Sequence, residues 1–273
     1  MTVVWIIIVL AVLVLLYLYM IMPAVGKRPD SKPFLGFFYA HRGLHDNDSE
    51  APENSLAAFR KAVEAGFGME LDIQLSKDKV PVVFHDFELK RVCGVEGKVS
   101  DYTLEQLKDL RLYQSMEGIP TLEQVLELVD GKVPLIIEFK GNDLDMGLCP
   151  IADEILSKYH GVYCVESFNP LMVAWYKKHH REIFRGQLSE KFFSNGKKNL
   201  LHFMLQNLLL NFVGRPDFIA YKCTDHEVLS RRICSKLFNA TSVTWTVKSQ
   251  EELNDMKKHF EIMIFEGFMP KNS

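Results

Sequence analysis

The sequence is poor in the residues that mark a disulfide-bonded or zinc-binding protein. It has five cysteines in 273 residues, an odd number, and no two of them form a Cys-x-x-Cys pair. A disulfide framework and a zinc site are therefore not expected. We interpret the cysteines as small buried apolar side chains of a protein in a reducing compartment. They are Cys93, Cys149, Cys164, Cys223 and Cys234.

Basic charge is also not in excess. The chain has 32 Lys and Arg against 35 Asp and Glu, a formal net charge of −3, and no basic stripe with interleaved aromatic residues. This composition disfavours a nucleic-acid-binding protein, which would usually be clearly basic. Because no Gly-x-Gly-x-x-Gly motif follows a predicted strand, a dinucleotide-binding fold has no support either. The hydrophobic fraction of 48% and charged fraction of 25% are typical of a globular protein.

A long run without charge begins the chain. Residues 3–25 contain no charged side chain, and a membrane-spanning helix needs roughly 20 apolar residues. A cleaved signal peptide would have a basic start and a shorter apolar stretch, so we expect residues 1–25 to be a retained single-pass anchor in the cell membrane. Lys27, Arg28 and Lys32 follow this run and no basic residue precedes it. The positive-inside rule therefore places the rest of the chain in the cytoplasm.

The remaining sequence alternates apolar, strand-like runs with segments of helical period. After a proline-containing linker at 26–36, we predict one domain over 37–273. Eight such units favour a closed (β/α)₈ barrel, whose strands are buried on both faces and so read as continuous apolar runs. An interval at 80–123 after the second strand breaks the rhythm and predicts a small insertion over the mouth of the barrel. The predicted strands are 37–42, 68–75, 134–139, 162–168, 183–188, 217–221, 242–247 and 262–265.

Charged side chains recur at the ends of these strands, where a barrel carries its catalytic groups. Residues two apart on a strand point to the same face of the sheet. Glu70 and Asp72 therefore share a face, and so do Glu138 and Lys140. Three converging carboxylates would repel one another without a cation, and oxygen-only ligands favour Ca²⁺ or Mg²⁺. The alternative is a structural ion pair between Glu70 and Lys140. The groups are His41 and Arg42 in the first strand, Glu70 and Asp72 in the second, and Glu138 and Lys140 in the third.

Two histidines have a sequence context that suggests proton transfer. His41 is followed by Arg42, and His85 by Asp86, each pair coming directly after an apolar run. Histidine suits general acid–base catalysis because its pKa lies near neutrality, and the arginine fork suits a phosphate. The alternative is a pair of structural histidines. Together with the carboxylates, these residues favour a phosphoryl-transfer or hydrolytic enzyme.

As an ordered set, the motifs of this chain resemble those of the glycerophosphodiester phosphodiesterase family. The resemblance implies a barrel with an inserted segment, one divalent cation, Ca²⁺ or Mg²⁺, and hydrolysis of glycerophosphodiesters to sn-glycerol 3-phosphate and an alcohol. The motifs are Ala40-His41-Arg42-Gly43, Ala51-Pro52-Glu53-Asn54-Ser55, Glu70-Leu71-Asp72, Val82-Val83-Phe84-His85-Asp86, Ile119-Pro120-Thr121-Leu122 and Ile137-Glu138-Phe139-Lys140.

The same resemblance implies roles residue by residue. Trp245 would be a wall of the pocket, and we favour His41 as base and His85 as acid. Two late positions depart from the family pattern: Lys248 stands where Asn is frequent and Glu266 where Asp is frequent. The implied roles are acid–base catalysis by His41 and His85, phosphate binding by Arg42 and Lys140, metal ligation by Glu70, Asp72 and Glu138, and shaping of the site by Glu53 and Asn54.

Two alternative functions stay open at this point. Residues 197–212 are unusually apolar for an outer helix and follow basic residues, so they could enter a membrane interface and serve a lysophospholipase D-like activity on lysophospholipids. We expect instead a helix packed on the barrel, because barrel helices bury a wide face. A catalytically inactive, membrane-tethered scaffold is the third possibility, because fold does not guarantee activity.

Overall fold

A computed structural model describes residues 1–141 and 144–271. Eight of its strands are parallel and hydrogen-bonded in the order β1-β9-β8-β7-β6-β5-β4-β2, and β1 also pairs with β2, which closes the barrel. The (β/α)₈ prediction is confirmed, with each predicted strand found to within two residues at either end. The strands are β1 (Phe38–His41), β2 (Gly68–Leu75), β3 (Pro81–Val83), β4 (Leu135–Phe139), β5 (Tyr163–Ser167), β6 (Arg185–Ser189), β7 (Phe218–Lys222), β8 (Thr241–Val247) and β9 (Ile262–Phe265).

The insertion after β2 has a small core of its own. Its strand β3 lies outside the barrel and pairs antiparallel with β2, Ile73 opposite Val83. Buried apolar side chains, among them Phe84, Leu89 and Leu107, form a cluster separate from the main core. The pairing of β3 with the last residues of β2 joins this cluster to the barrel at the carboxyl end of that strand.

The helices begin at residues that cap them. The Ser55 hydroxyl accepts from the Ala58 N–H before α2, and Thr121 and Gln124 form a reciprocal capping box before α5. The helices are α1 (Thr2–Ile21), α2 (Leu56–Glu64), α3 (Lys90–Cys93), α4 (Leu104–Lys108), α5 (Leu122–Val129), α6 (Leu148–Leu156), α7 (Pro170–His179), α8 (Leu200–Gln206), α9 (Asn211–Gly214), α10 (Leu229–Lys236) and α11 (Gln250–Met256).

The predicted linker is packed against the amino-terminal end of the barrel. Phe34 is buried and stacks on Phe184, with ring centroids 5.3 Å apart. The Tyr39 hydroxyl donates to the Phe34 carbonyl at 2.9 Å. Phe34 therefore closes the floor of the barrel, opposite the end where the catalytic groups are expected.

Among the described residues, one helix is long and apolar enough to cross a membrane, the amino-terminal α1. A signal sequence would pass the same test of length and composition. The carboxyl end of α1 contacts the barrel domain. The Asn211 side chain donates to the Ile21 carbonyl at 2.8 Å, and the Tyr19 ring stacks on Phe212. Residues 2–16 are exposed, as a helix meant for an apolar environment would be.

Candidate active site

The strand register brings the predicted site residues to one level of the barrel. His41 lies opposite Glu70 in the β1–β2 pair, and Asp72 lies opposite Glu138 in the β2–β4 pair. A cavity of about 1330 Å³ opens at the carboxyl ends of the strands. Asp72 and Asn54 are buried and do not line it, but Asp72 contacts Lys140, which does, and Asn54 contacts Asp72. The predicted residues that line the cavity are His41, Arg42, Glu53, Glu70, His85, Glu138, Lys140 and Trp245.

Three buried carboxylates form the centre of the site. Glu70, Asp72 and Glu138 each offer an oxygen, and these oxygens lie within 4.8 Å of one another. Burial raises the pKa of Glu70 well above its ordinary value, and the charges of Asp72 and Glu138 raise it further. Burial also raises the pKa of Glu138. Since the cluster is unfavourable when fully ionised and offers only oxygen donors, its chemistry fits a hard divalent cation.

The positively charged side chain of Lys140 lies beside this carboxylate cluster. Its Nζ lies 2.9 Å from Asp72 Oδ1 and 2.8 Å from Glu138 Oε1. Burial works to raise the pKa of Asp72, but Lys140, His85 and Arg42 outweigh it and hold that pKa well below its usual range. Within the described chain, Lys140 therefore pairs with these two acids rather than with Glu70, the partner of the alternative interpretation.

The turn after β1 positions Arg42 and Asn54 by means of left-handed backbone. Arg42 has φ 56° and Asn54 has φ 58°, conformations uncommon for residues other than glycine. The Asn54 N–H donates to the Arg42 carbonyl at 2.9 Å, and its side-chain amide donates to Asp72 Oδ2 at 2.9 Å. Asn54 thus ties the turn to a carboxylate of the cluster, consistent with a role in shaping the site.

Glu53 lies between two arginines. Its Oε1 accepts from Arg42 Nη1 at 2.9 Å and from Arg91 Nη2 at 2.6 Å. Burial works to raise the pKa of Glu53, but the hydrogen bonds and charges of the two arginines lower it to about 2. Glu53 is therefore an ionised acid whose charge is compensated by the arginines, and it orients the Arg42 fork.

His41 is held by a carboxylate from the last strand. Its Nδ1 lies 2.7 Å from Glu266 Oε2, and its Nε2 lies 3.9 Å from Glu70 Oε2. Burial lowers the pKa of His41 to about 4, and the positive charge of the neighbouring Arg42 contributes to this shift. The imidazole is therefore neutral near pH 7, and because Nδ1–H donates to Glu266, the Nε2 lone pair is left to accept a proton.

His85 has a matching partner in the insertion. Its Nδ1 lies 2.6 Å from Asp86 Oδ1, and a third of its side chain is exposed to the cavity and solvent. Arg91 Nε holds the other Asp86 oxygen at 2.6 Å and also reaches Glu53. The two histidines thus have similar carboxylate partners but different burial, which distinguishes the two sides of the site.

Sequence reasoning missed two of these partners. In the sequence, Glu266 stands out only as a departure from the family pattern, although its place directly after the last strand is where a barrel carries site residues. Arg91 lies in a short helix of the insertion, where no periodicity or strand-end rule applies. It joins Asp86 and Glu53, which are 33 residues apart in sequence, so only the folded insertion reveals its role.

Away from the carboxylates, the cavity has an extended apolar wall. Trp245 meets Phe168 edge to face with ring centroids 5.7 Å apart. This wall continues past the end of β6 to the helices α8 and α9. Its other apolar residues include Leu171, Phe192, Leu201, Leu205, Leu210 and Val213.

The strands close into a barrel, and acids, imidazoles and cations lie at their carboxyl ends. This is the arrangement of a barrel enzyme, whose active site lies at that end of the strands. The sequence model described as the glycerophosphoryl diester phosphodiesterase family matches residues 41–191, more than half of the chain. The chain belongs to this family.

Comparison with individual proteins agrees with this assignment. YhdW of Bacillus subtilis is 39% identical over 131 residues, 45% of this chain and 52% of that protein. A glycerophosphodiester phosphodiesterase of Caldanaerobacter subterraneus is 45% identical over 109 residues, 37% of this chain and 44% of that protein. The chain thus spans about half the length of the curated relatives it matches. A structure of an Oleispira antarctica phosphodiesterase with the product sn-glycerol-3-phosphate shares the fold, with a TM-score of 0.70, 23% identity and coverage of 86% of this chain and 94% of that chain.

Proposed function

We propose that this protein hydrolyses glycerophosphodiesters to sn-glycerol 3-phosphate and an alcohol. One observation carries the proposal: two histidines, each bonded to a carboxylate, lie in the same cavity as a buried three-carboxylate cluster and two cations. The relatives named as glycerophosphodiester phosphodiesterases, and the neighbouring structure with sn-glycerol-3-phosphate, support the same substrate class.

Arg42 and Lys140 bind the phosphodiester in this proposal. Arg42 is fixed by Glu53 and by its own turn, so its fork can bind two phosphoryl oxygens without further ordering. Lys140 adds a second positive charge from the third strand of the barrel. Trp245 forms the apolar wall beside them. Fixed positive charges of this kind stabilise the negative charge that develops on the non-bridging oxygens.

Glu70, Asp72 and Glu138 would hold one divalent cation, Ca²⁺ or Mg²⁺. When bound, the cation supplies charge neutralisation and polarisation of a phosphoryl oxygen. The three acids lie within reach of Arg42 and Lys140, so the same phosphate can meet all of these positive groups.

The two histidines divide the proton transfers. His41 Nε2 takes the proton of the attacking hydroxyl. Attack by water gives sn-glycerol 3-phosphate directly, whereas attack by the glycerol hydroxyl of the substrate first gives a cyclic phosphodiester, which water then opens to the same product. His85, whose Nδ1 lies 2.6 Å from Asp86 Oδ1, donates a proton to the leaving alkoxide. The different burial of the two rings favours this assignment, because the more buried His41 stays neutral.

We also propose that residues 1–25 anchor residues 37–273 to the cell membrane through α1, with 26–36 as the connection. The basic residues Lys27, Arg28 and Lys32 follow the apolar run, which favours a cytoplasmic barrel. Accessibility of an introduced surface cysteine to a membrane-impermeant thiol reagent in intact cells tests this orientation: protection supports it, and labelling contradicts it.

Steady-state kinetics with the full-length protein test the function. His41→Ala and His85→Ala should each lower turnover of glycerophosphocholine by about 10²-fold or more, because each removes a proton-transfer group. His160→Ala, an exposed histidine far from the cavity, is the matched control and should keep the wild-type rate. Wild-type rates in the first two variants would refute the roles of the histidines. A folded wild-type protein without turnover would instead favour the inactive scaffold.

A further inference from the structure

Arg91 bridges two carboxylates that lie behind different groups of the site. Its Nε lies 2.6 Å from Asp86 Oδ2, and its Nη2 lies 3.0 Å from Asp86 Oδ1. The same fork reaches Glu53, with Nη2 2.6 Å from Oε1 and Nη1 3.0 Å from Oε2. Asp86 holds His85, and Glu53 holds Arg42. The Arg91 guanidinium therefore connects the proposed acid to a proposed phosphate-binding group.

Arg91 lines the cavity, but its donors are already used by neighbouring side chains. A guanidinium carries one N–H on Nε and two on each Nη. The hydrogen bonds to Asp86, to Glu53 and to the Tyr113 hydroxyl, which accepts from Nη1 at 2.6 Å, use all of them. Tyr113 in turn donates to Glu53 Oε2 at 3.1 Å. Arg91 thus acts on the reaction through its partners and not through a direct bond to the substrate.

The fold of the insertion fixes the backbone that carries Arg91. Leu89 and Val92, before and after it in the chain, are buried in the separate core of the insertion. Tyr113 has a left-handed backbone with φ 54°, and its N–H donates to the Val92 carbonyl at 2.8 Å. A bulky residue with positive φ is unusual and is strained unless its surroundings hold it. This turn places the Tyr113 hydroxyl against the Arg91 fork.

The backbone around His85 is held from the barrel instead. The Gln74 side chain on β2 donates to the Phe84 carbonyl at 2.8 Å and to the Asp86 carbonyl at 2.7 Å. The chain on both sides of His85 therefore has an attachment that does not involve Arg91. What Arg91 adds is the orientation of the Asp86 carboxylate, whose Oδ1 lies 2.6 Å from His85 Nδ1.

We propose that Arg91 is a positioning residue that sets the acid His85 and the phosphate-binding fork of Arg42 in fixed relative positions. It orients Asp86 behind the first and Glu53 behind the second. The inference rests on the proposed function, because it concerns the acid and the phosphate-binding group of that reaction. A lysine would keep the positive charge but could not hold two carboxylates in bidentate fashion. The insertion is thus part of the catalytic geometry.

Steady-state kinetics of Arg91→Lys in the full-length protein test this geometry at constant charge. The kcat/KM for glycerophosphocholine should fall by about 10-fold to 100-fold, because misplacement of a reacting group by about 1 Å can cost a factor of this size. The matched control is Arg111→Lys. Arg111 is an exposed arginine of the same insertion, and its fork donates to backbone carbonyls. The control should keep the wild-type rate.

The leaving group separates positioning of the acid from a general loss of structure. The para-nitrophenyl ester of sn-glycerol 3-phosphate releases a phenolate that needs no proton, whereas choline leaves as an alkoxide that does. Arg91→Lys should therefore lower turnover of glycerophosphocholine about tenfold more than turnover of the nitrophenyl ester. In a His85→Ala background this difference should vanish, because the acid is absent. Partial unfolding cannot produce the difference, since a ratio of two rates does not depend on the folded fraction.

Binding of the product tests the connection to Arg42. Isothermal titration calorimetry with sn-glycerol 3-phosphate, in the presence of Ca²⁺ or Mg²⁺, measures binding without turnover. The Kd should rise about threefold to tenfold in Arg91→Lys, because an Arg42 fork that is no longer fixed must be ordered on binding. The Kd of Arg111→Lys should equal that of the wild type.

The outcomes separate this inference from the proposed function. A wild-type rate for glycerophosphocholine in Arg91→Lys overturns the inference and keeps the function. Equal losses for the two substrates, or a selective loss that persists in His85→Ala, overturn the connection to the acid. An unchanged Kd overturns the connection to Arg42. Wild-type protein that hydrolyses neither substrate contradicts both proposals.

Discussion

One carboxylate fixes the tautomer of the His41 imidazole, and burial keeps the ring neutral. Glu266 accepts from Nδ1 at 2.7 Å, and the hydrogen bond from His41 lowers the pKa of Glu266 to about 2. Glu266 is thus ionised throughout the neutral range and keeps the ring oriented. The side chain acts on the reaction through His41 and is a positioning residue.

Replacing Glu266 by Gln should therefore change the pH profile as well as the rate. The carboxylate raises the pKa of His41 against the effect of burial, so its removal should lower that pKa further and move the acid limb of kcat/KM to lower pH. We expect kcat/KM for glycerophosphocholine to fall about tenfold or more at neutral pH, as the oriented base is lost. Glu251→Gln, an exposed acid on α11, is the control. An acid limb that moves to higher pH contradicts this account.

At the scale of residues, the sequence predicts which side chains lie at the site better than it predicts which of them pair with one another. The residues at strand ends, such as Glu70, Asp72 and Lys140, could be predicted because the barrel places all carboxyl strand ends together. Their pairing could not, since Lys140 reaches both Asp72 and Glu138. Those distances depend on the tilt and closure of the strands, which no local pattern encodes.

The β1–α2 connection is the element on which the geometry of the site depends most. After His41 the chain turns through left-handed residues, and Gly43, with φ +82°, packs directly under α2. A Cβ there would lie 2.9 Å from the backbone carbon and the Cβ of Ala58. The helix therefore approaches the turn at a distance that glycine alone allows.

Gly43→Ala and Gly66→Ala separate conformational strain from this close approach. Both glycines have positive φ, but a Cβ at Gly66 meets nothing within 4 Å. Gly66→Ala should cost about 1–2 kcal/mol in free energy of unfolding from the left-handed conformation alone. Gly43→Ala should cost about 1–3 kcal/mol more, because the helix must shift. Equal losses in denaturant unfolding of the two variants would show that the close approach is not important.

Among the elements, α8 shows where a sequence pattern fails. The apolar residues of 197–212 predict a helix with a wide buried face, whereas the structure divides the segment at Leu208 and leaves no residue of α8 fully buried. Hydropathy records how apolar a segment is but not which medium covers it. The β-strands were easier to locate, because burial on both faces gives them continuous apolar runs between helices.

For the whole molecule, the carboxylate cluster opposes folding unless its charge is compensated. The pKa of Glu70 is raised above its ordinary value in the folded protein. The protonated form is thus favoured on folding, so this contribution to stability is fully present below the ordinary pKa and is lost as pH rises through the folded-state pKa. A bound divalent cation reverses this penalty, because it prefers the ionised carboxylates.

Glu70→Gln should therefore raise the Tm of the metal-free protein at neutral pH, while removing most of the rise in Tm that Ca²⁺ or Mg²⁺ produces in the wild type. For the wild type that rise corresponds to about 2.7 kcal/mol at a cation concentration of 100 times Kd. Glu64→Gln, an exposed acid on α2, is the control and should leave both values as they are. A lower Tm of metal-free Glu70→Gln contradicts the repulsion, and an undiminished metal effect contradicts the ligand role.

The most direct test of the central claim is product analysis of one reaction by ³¹P NMR. Full-length protein treated with EDTA is incubated with glycerophosphocholine, before and after Ca²⁺ or Mg²⁺ is restored. We predict no product without the cation and, once the cation is restored, the resonance of sn-glycerol 3-phosphate with release of choline. Phosphocholine as the phosphorus-containing product, or full turnover in EDTA, would contradict it.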